Sequence, residues 1–302
     1  MTLTLADLTI PKLQEAMNRV GYIASQETVV TLYLALRLGK PLLLEGPPGV
    51  GKTEIAKVLS EVFGAELIRL QCYEGLDETK ALYEWNYQRQ LIRIQLAKAV
   101  EGQTITEEDI FSEEYLLERP LLRAIRQQGP AVLLIDEVDK TDEEFEAFLF
   151  ELLSEFQVTV PELGTIKATH IPMVVLTSNG ERELSDGLKR RCLYLYLDYP
   201  DVATEIRIIQ ARVPGVGERL TREVARVVAH LRQHLDLNKK PSIAETLDWV
   251  RALIALNADR LTPELIQHTL NVILKHKDDI NTVLEFLGTE GLFRVAQEEK
   301  GR

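Results

Sequence analysis

Short apolar runs alternate with segments of helical periodicity along the first two thirds of the chain. Such runs, bounded by Gly, Pro or charged residues, are typical of strands that are buried on both faces of a sheet. They lie at residues 42–44, 65–71, 131–136, 171–177 and 193–197. Because helical segments separate the runs, we expect a five-stranded parallel α/β sheet with helices on both faces.

The pattern changes after Tyr199-Pro200-Asp201, since apolar positions then recur only at helical spacing. Glycines, lysines and prolines punctuate the remaining helices. They are predicted at 202–211, 222–235, 244–256, 263–275 and 279–287. The sequence therefore predicts an α/β domain over 1–199, followed by a small all-helical domain over 200–302.

Three features interrupt the regular alternation in the first domain. Residues 1 to about 40 predict two helices that break apart at Gly21-Tyr22-Ile23. About sixty residues separate the second and third predicted strands, more than a crossover needs, so we expect an insert at about 74–112. Alternation around the turn Pro161-Glu162-Leu163-Gly164 predicts a β-hairpin over 156–168.

The sequence GPPGVGKT at 46–53 fits the phosphate-loop pattern G-x-x-x-x-G-K-[ST]. Glycines allow backbone N–H groups to turn toward a polyphosphate, and the following helix N-terminus favours negative charge. Lys52 is expected to reach the β- and γ-phosphates, and the Thr53 hydroxyl to hold Mg²⁺. The expected nucleotide contacts are Gly46, Pro47, Pro48, Gly49, Val50, Gly51, Lys52, Thr53 and Glu54. A chance match in a Gly/Pro-rich turn is the alternative, but the strand and helix that the motif requires are both predicted.

Two carboxylates, Asp136 and Glu137, end the third predicted strand. Strand alternation directs consecutive side chains differently, which suits two separate roles. We expect Asp136 to bind Mg²⁺, directly or through water, and Glu137 to polarise the attacking water. A solvated acidic turn is the alternative, since Asp139, Asp142 and Glu143 follow. The phosphate loop upstream favours the catalytic interpretation.

Composition excludes several classes of function. The 302 residues carry a net charge of −12, which argues against a mainly electrostatic grip on nucleic acid. Cys72 and Cys192 lack metal-site spacing, so we expect reduced thiols in the cytosol. No leader-like start or membrane-length apolar run occurs, and we expect a cytoplasmic protein that does not span a membrane.

The order of motifs resembles that of the AAA+ ATPases, and more narrowly of the MoxR group. Besides the phosphate loop, it consists of VLLIDEVDK (132–140), LTSN (176–179) and GLKRRC (187–192), followed by a helical lid. The predicted insert and hairpin also match that group. The resemblance implies that Asn179 is the first sensor, which helps Glu137 to position water. It implies that Arg191, or else Arg190, is an arginine finger for a neighbouring subunit, against the alternative of a solvated basic turn.

One departure from many relatives concerns the lid. Their second-sensor Arg falls in the stretch 241–246, which contains no Arg here. Arg251 stands two turns further on, and we expect Glu245 to cap or pair within the lid.

Two further sets of residues have open interpretations. In many relatives the segment that precedes the first strand contacts the base, which points to Tyr22 and Ile23, although a plain core pair is the alternative. The aromatic residues Tyr83, Trp85 and Tyr87 alternate within the insert. They fit either a small core under a long loop or an exposed surface for a client protein.

The resemblance implies a function that combines these parts. We expect hydrolysis of ATP with Mg²⁺ by a ring-shaped homo-oligomer, most simply a hexamer, that remodels or matures another protein. In the MoxR group the partner is often a von Willebrand factor A-domain protein, and clients include metalloenzymes. The alternatives are a DNA-directed motor or loader of the same superfamily and a nucleotide-dependent scaffold with little turnover.

Overall fold

The computed structural model describes residues 3–98 and 106–298. Within these residues the strands are β1 (Leu42–Glu45), β2 (Glu66–Gln71), β3 (Tyr83–Trp85), β4 (Leu116–Glu118), β5 (Ala131–Asp136), β6 (Gln157–Val160), β7 (Gly164–Lys167), β8 (Met173–Ser178) and β9 (Leu193–Tyr196). The helices of the first two thirds are α1 (Ile10–Arg19), α2 (Gln26–Leu38), α3 (Lys52–Phe63), α4 (Glu78–Ala81), α5 (Tyr87–Lys98), α6 (Glu107–Ile110), α7 (Pro120–Arg126), α8 (Glu143–Glu155) and α9 (Asp186–Arg191). They are followed by α10 (Val202–Arg212), α11 (Glu218–His234), α12 (Ile243–Ala255), α13 (Pro263–Ile273), α14 (Lys277–Phe286) and α15 (Gly288–Gln297).

The predicted five-stranded parallel sheet is confirmed. Its strand order is β2-β5-β8-β1-β9, with every neighbouring pair parallel. All six residues of β5, which lies between β2 and β8, are buried, as its apolar sequence predicts. Because the strands are parallel, their carboxyl ends lie together at one edge of the sheet. The last residues of the neighbouring strands β2, β5 and β8 are Gln71, Asp136 and Ser178. Ligands of open α/β sheets bind at this edge.

The predicted hairpin is also confirmed, since β6 and β7 pair antiparallel. A second small sheet pairs β3 with β4. The sequence did not predict β4, because three residues are too few to establish alternation. The part of the predicted insert at 99–105 lies outside the described residues.

The aromatic residues of the insert have different surroundings. Trp85 is 6% exposed and belongs to the hydrophobic core that also contains residues of the five-stranded sheet. Its ring meets Phe111 and Tyr83 edge-on, with centroids 5.2 and 6.0 Å apart. Tyr87 is 60% exposed at the start of α5. Core packing therefore describes Trp85 and Tyr83, while Tyr87 faces solvent.

The chain folds into two compact units. The first holds the residues up to Ala16, together with Ser25–Gly46 and Lys52–Tyr196. The second holds Met17–Ala24, Pro47–Gly51 and the chain from Leu197 onward.

The second unit is helical and has its own core around Trp249. The five helices predicted there are all present, and α15 is an additional one. Its sequence did not predict a helix because Gly288 and Gly291 have low helix propensity. Burial of Leu292 and Ala296 against the core supplies the stabilisation that the glycines lack. The last predicted lid residues, 299–302, lie outside the described part. No helix within 3–98 and 106–298 combines the length and apolar character needed to cross a membrane.

Candidate nucleotide-binding site

The loop between β1 and α3 has the backbone that the motif requires. Gly49 and Gly51 have φ values of 79° and 99°, a region that residues with a Cβ rarely adopt. Helix α3 begins at Lys52, so its first N–H groups lie directly after the loop. Backbone donors next to a helix N-terminus favour an anion.

Lys52 is buried at the start of α3, with 6% of its surface exposed. Its Nζ donates to the carbonyl oxygen of Gly46 at 2.6 Å. Burial lowers the pKa of Lys52, and nearby carboxylates, with Asp139 first among them, act in the opposite direction. A cation held next to the loop in this way can bind the phosphate groups of a nucleotide.

Asp136, at the end of β5, accepts hydrogen bonds from three sides. Oδ1 accepts from Thr53 Oγ1 at 3.1 Å and from Thr177 Oγ1 at 2.6 Å. Oδ2 forms an ion pair with Arg69 of β2. Asp136 is 3% exposed, so these three donors, and not solvent, surround its carboxylate.

The Thr53–Asp136 pair fits Mg²⁺. A magnesium ion in a nucleotide site takes one or two protein oxygens and completes its shell with phosphate and water. Thr53 Oγ1 and Asp136 Oδ1 are hard oxygen donors 3.1 Å apart at the end of the loop. Within residues 3–98 and 106–298 no group of three or more His, Cys, Asp or Glu is arranged to hold a metal on protein ligands alone.

Glu137 has a left-handed backbone with φ 59° and ψ 49°. This conformation is uncommon for a residue with a Cβ and is found at functional turns. The N–H of Glu137 donates to Thr177 Oγ1 at 2.9 Å. Its Oε2 accepts from Gln71 Nε2 at 3.0 Å and from Lys140 Nζ at 2.6 Å. The side chain is thus oriented at the same sheet edge as Asp136.

Asn179 follows the last residue of β8, the strand next to β5. Its backbone N–H donates to Asp139 Oδ2 at 3.0 Å. Asp139 is 3% exposed, so the solvated acidic turn considered from the sequence is wrong for this residue. The side chain of Asn179 is half-buried.

The two candidate finger residues differ in their surroundings. Arg191 donates to Ser154 Oγ at 2.8 Å and to the carbonyl oxygen of Gly187 at 2.9 Å. Its guanidinium also lies 4.4 Å from the ring centroid of Phe150. Arg190 is exposed and makes no hydrogen bond or ion pair with any described residue. The structure therefore orients Arg191 through its own chain and leaves Arg190 free in solvent.

In the second unit the loop meets the start of α12. A Cβ on Gly49 would lie 2.3 Å from Cβ of Ser242, the N-cap of that helix. The N–H of Ile243 donates to the Gly49 carbonyl oxygen at 3.3 Å. The expected capping role of Glu245 is confirmed, since it forms a capping box with Ser242. The exposed Arg251 pairs with Asp248 at 3.0 Å.

The remaining candidates have ordinary contacts. Glu54 pairs with Lys57 at 3.4 Å on the surface of α3. Tyr22 and Ile23 are half-buried, and the N–H of Tyr22 donates to the Met17 carbonyl oxygen at 3.0 Å. Their contact with a base stays a prediction.

Sequence reasoning did not find four of the residues that contact the acidic pair: Arg69, Gln71, Lys140 and Thr177. Two lie on β2 and one on β8, the two strands that flank β5. A parallel sheet alone does not determine which strands are neighbours. The available signal was a polar residue at the carboxyl end of an otherwise apolar strand.

Comparison with known proteins gives a family assignment. Residues 41–192 match the model of the AAA domain, dynein-related subfamily. The gas vesicle ATPase GvpN of Haloferax mediterranei is 26% identical over 212 residues, 67% of this chain and 59% of the relative. An uncharacterized Staphylococcus epidermidis protein, SERP0979, is 28% identical over 248 residues, 80% of this chain and 86% of the relative.

The matched region thus spans about three fifths of the length of the gas vesicle ATPase. Among solved structures, a mutant of Thermotoga maritima RuvB is 17% identical, with a TM-score of 0.48 over 93% of this chain and 79% of that one. The family match covers half of the chain and includes the phosphate loop, the acidic pair and both arginines. This chain belongs to the AAA domain family, in its dynein-related subfamily.

Proposed function

We propose that this protein is an Mg²⁺-dependent ATPase of the MoxR type, which works as a ring and remodels or matures a partner protein. The observation that carries the ATPase proposal is the Thr53–Asp136 hydrogen bond of 3.1 Å. It joins the end of the phosphate loop to the end of β5, directly before Glu137. The gas vesicle ATPases, which match this chain over part of their length, are named as ATPases, and this agrees with the proposal.

Binding of ATP rests on the loop and on Lys52. The loop N–H groups donate hydrogen bonds to oxygens of the β- and γ-phosphates. The ammonium group of Lys52, which donates to the Gly46 carbonyl oxygen in the structure, donates to phosphate oxygens instead. That exchange replaces a neutral acceptor with a charged one, which strengthens the hydrogen bond. Thr53 and Asp136 would hold Mg²⁺, which would supply positive charge to the phosphates.

Hydrolysis requires that water be oriented and that developing charge be stabilised. Glu137 orients and polarises the water, and Asn179 contributes a hydrogen bond from the end of β8. Arg191 is proposed to stabilise negative charge on the phosphoryl oxygens of a neighbouring subunit. An arginine of this kind raises the rate about 10³- to 10⁵-fold in related phosphoryl-transfer enzymes.

The biological role follows from the resemblance to the MoxR group. We infer a cytoplasmic homo-oligomer, most simply a hexamer, with an α/β domain over 1–199 and a lid over 200–302. Its partner is a von Willebrand factor A-domain protein, and its client is a protein or metalloenzyme that requires remodelling. The net charge of −12 supports a protein client over nucleic acid.

The test compares Lys52→Ala with Glu137→Gln. The first should lose nucleotide binding, because the phosphates lose their main side-chain partner. The second should bind ATP but not hydrolyse it, because an amide cannot polarise water as a carboxylate does. Lys57→Ala is the matched control, since Lys57 is an exposed lysine on the same helix. Equal loss of affinity in the Lys52 and Glu137 variants would contradict these roles.

A further inference from the structure

Two buried carboxylates hold the segment that joins β8 to α9, residues 179–185. This segment starts at the proposed sensor Asn179 and ends at Ser185, the N-cap of the helix that carries Arg190 and Arg191. Both carboxylates come from the chain that follows the acidic pair. Neither of them is among the residues to which the proposed function gives a role.

Asp139 holds the first part of the segment. Its Oδ2 accepts the N–H groups of Asn179 and Glu181, each at 3.0 Å. Its Oδ1 is buried and accepts no hydrogen bond from the described residues. A buried polar atom without a partner requires an explanation, because most such atoms are satisfied. The carboxylate holds the segment with one oxygen alone.

Glu146 of α8 holds the second part. It is fully buried, and its Oε2 accepts the N–H of Ser185 at 2.9 Å. Its Oε1 forms an ion pair with Arg182, whose other terminal nitrogen donates to the Glu183 carbonyl oxygen at 3.0 Å. Ser185 in turn caps α9 through the N–H of Leu188. The segment is therefore fixed at its start, middle and end.

We propose that Asp139 is the positioning residue for Asn179, and that Glu146 anchors the other end of the same segment. This inference rests on the proposed ATP hydrolysis at the same site. Asp139 accepts hydrogen bonds from backbone N–H groups of the segment, so it acts through the place it gives to Asn179. Misplacement of a catalytic group by about 1 Å can cost on the order of 10²-fold in rate.

The chemistry of Asp139 suggests a pair of variants that separates position from charge. In Asp139→Asn the amide oxygen can accept both N–H groups, and the NH₂ group occupies the place of the unpartnered oxygen. In Asp139→Ala both hydrogen bonds are lost. A positioning role predicts that Asn retains most of the wild-type kcat and that Ala lowers kcat on the order of 10²-fold. Nucleotide affinity should be alike in the two variants, because both remove the same carboxylate charge from the surroundings of Lys52.

Asp142→Ala is the matched control for stability. Asp142 lies on the same turn and caps α8 through the N–H of Phe145 at 2.9 Å, without a contact to 179–185. Its loss should lower stability and leave kcat per folded subunit unchanged. Combining Asp139→Ala with Asn179→Ala supplies a second test, because residues that act as a unit are not additive. The double variant should hydrolyse ATP no more slowly than Asn179→Ala alone.

Amide hydrogen exchange gives a readout that does not depend on activity. Without nucleotide, the N–H groups of Asn179 and Glu181 should exchange faster in Asp139→Ala than in wild type, and near the wild-type rate in Asp139→Asn and Asp142→Ala. Equal loss of kcat in the Asn and Ala variants, additive effects with Asn179→Ala, or unchanged exchange would each overturn the inference. A wild-type protein without ATP hydrolysis would instead overturn the proposed function. The Asn variant nearly preserves the shape of Asp139, so it carries the test if the Ala variant does not fold.

Discussion

Thr177 Oγ1 donates a hydrogen bond to Asp136 Oδ1 at 2.6 Å and accepts one from the Glu137 N–H at 2.9 Å. One hydroxyl near the end of β8 therefore contacts both members of the acidic pair at the end of β5. Thr177 is 1% exposed, so no solvent can replace these bonds if the hydroxyl is removed. The relative placement of Asp136 and Glu137 depends on a neighbouring strand.

We predict that Thr177→Val lowers both hydrolysis and stability. Val has nearly the shape of Thr but leaves the Glu137 N–H buried without a partner, which costs about 1–3 kcal/mol. Denaturant unfolding and the rate of ATP hydrolysis measure the two effects. Thr177→Ser keeps the hydroxyl and is the matched control. If the Val and Ser variants behave alike, the hydroxyl has no part in holding the acidic pair.

The sequence predicted the elements of the site but not the contacts between them. Apolar runs and the loop motif identify β1, β5 and the residues Asp136 and Glu137, because those signals are local. The partners Arg69 and Thr177 come from strands distant in sequence, and strand order follows from packing of the whole domain. Burial of Asp139 was likewise invisible, since an acidic residue beside Asp142 resembles a solvated turn. Long-range packing, and not local pattern, completes the site.

The aromatic residues of the insert should differ in their contribution to stability, because they differ in burial. Trp85→Ala is expected to lower the free energy of unfolding by about 3–5 kcal/mol, because it leaves a cavity in the hydrophobic core. Tyr87→Ser should change that free energy by less than about 0.5 kcal/mol, since the ring is 60% exposed. Urea unfolding of both variants provides the measurement. Similar stabilities in the two variants would show that Trp85 is not a core residue.

The close approach of Gly49 to Ser242 predicts a non-additive pair of substitutions. Gly49→Ala places a Cβ 2.3 Å from Cβ of Ser242, at a φ of 79° that already disfavours Ala. We expect the loop to distort and nucleotide affinity to fall. Adding Ser242→Gly removes the clash, and Gly is an acceptable N-cap at a cost of a few tenths of a kcal/mol, so affinity should partly recover.

Gly215→Ala is the control for this pair. Gly215 has a similar φ of 82°, but an added Cβ meets nothing within 4 Å. Gly215→Ala therefore reports how backbone strain without a clash affects stability. Nucleotide affinity should be unaffected, because Gly215 lies outside the phosphate loop. A double variant that binds no better than Gly49→Ala would indicate that strain alone causes the defect.

Nucleotide affinity should weaken at alkaline pH because of Lys52. Burial lowers the pKa of this lysine below the ordinary 10.5, and phosphate binds the protonated form. As the pH rises through the pKa of Lys52 in the nucleotide-free protein, the charged fraction of Lys52 falls. Nucleotide binding must then be accompanied by the uptake of a proton. The dissociation constant should rise before the pH reaches 10.5. Lys57→Met should show the same profile, since Lys57 is exposed on α3 and outside the site. Affinity that stays constant up to pH 10.5 would contradict the lowered pKa.

Arg191 is held within its own chain by Ser154, Gly187 and Phe150. If Arg191 completes the site of a neighbour, Arg191→Ala should bind ATP nearly normally, because Lys52 and the loop hold most of the ground-state charge. Hydrolysis should nevertheless fall by about 10³-fold or more, since the lost contact acts mainly in the transition state. Arg190→Ala is the matched control, because Arg190 precedes Arg191 in the sequence and its side chain is exposed.

Mixed rings test whether the site is shared. Arg191→Ala subunits keep an intact loop, and Lys52→Ala subunits keep an intact finger, so co-assembled mixtures should regain part of the activity that neither has alone. Because Arg191 also ties α9 to α8, urea unfolding of Arg191→Ala must accompany the assay. If Arg191→Ala only lowers stability while Arg190→Ala abolishes hydrolysis and is rescued in mixtures, then Arg190 is the finger. If neither arginine variant is rescued in rings that are proven to co-assemble, the proposal that neighbouring subunits share the site is wrong.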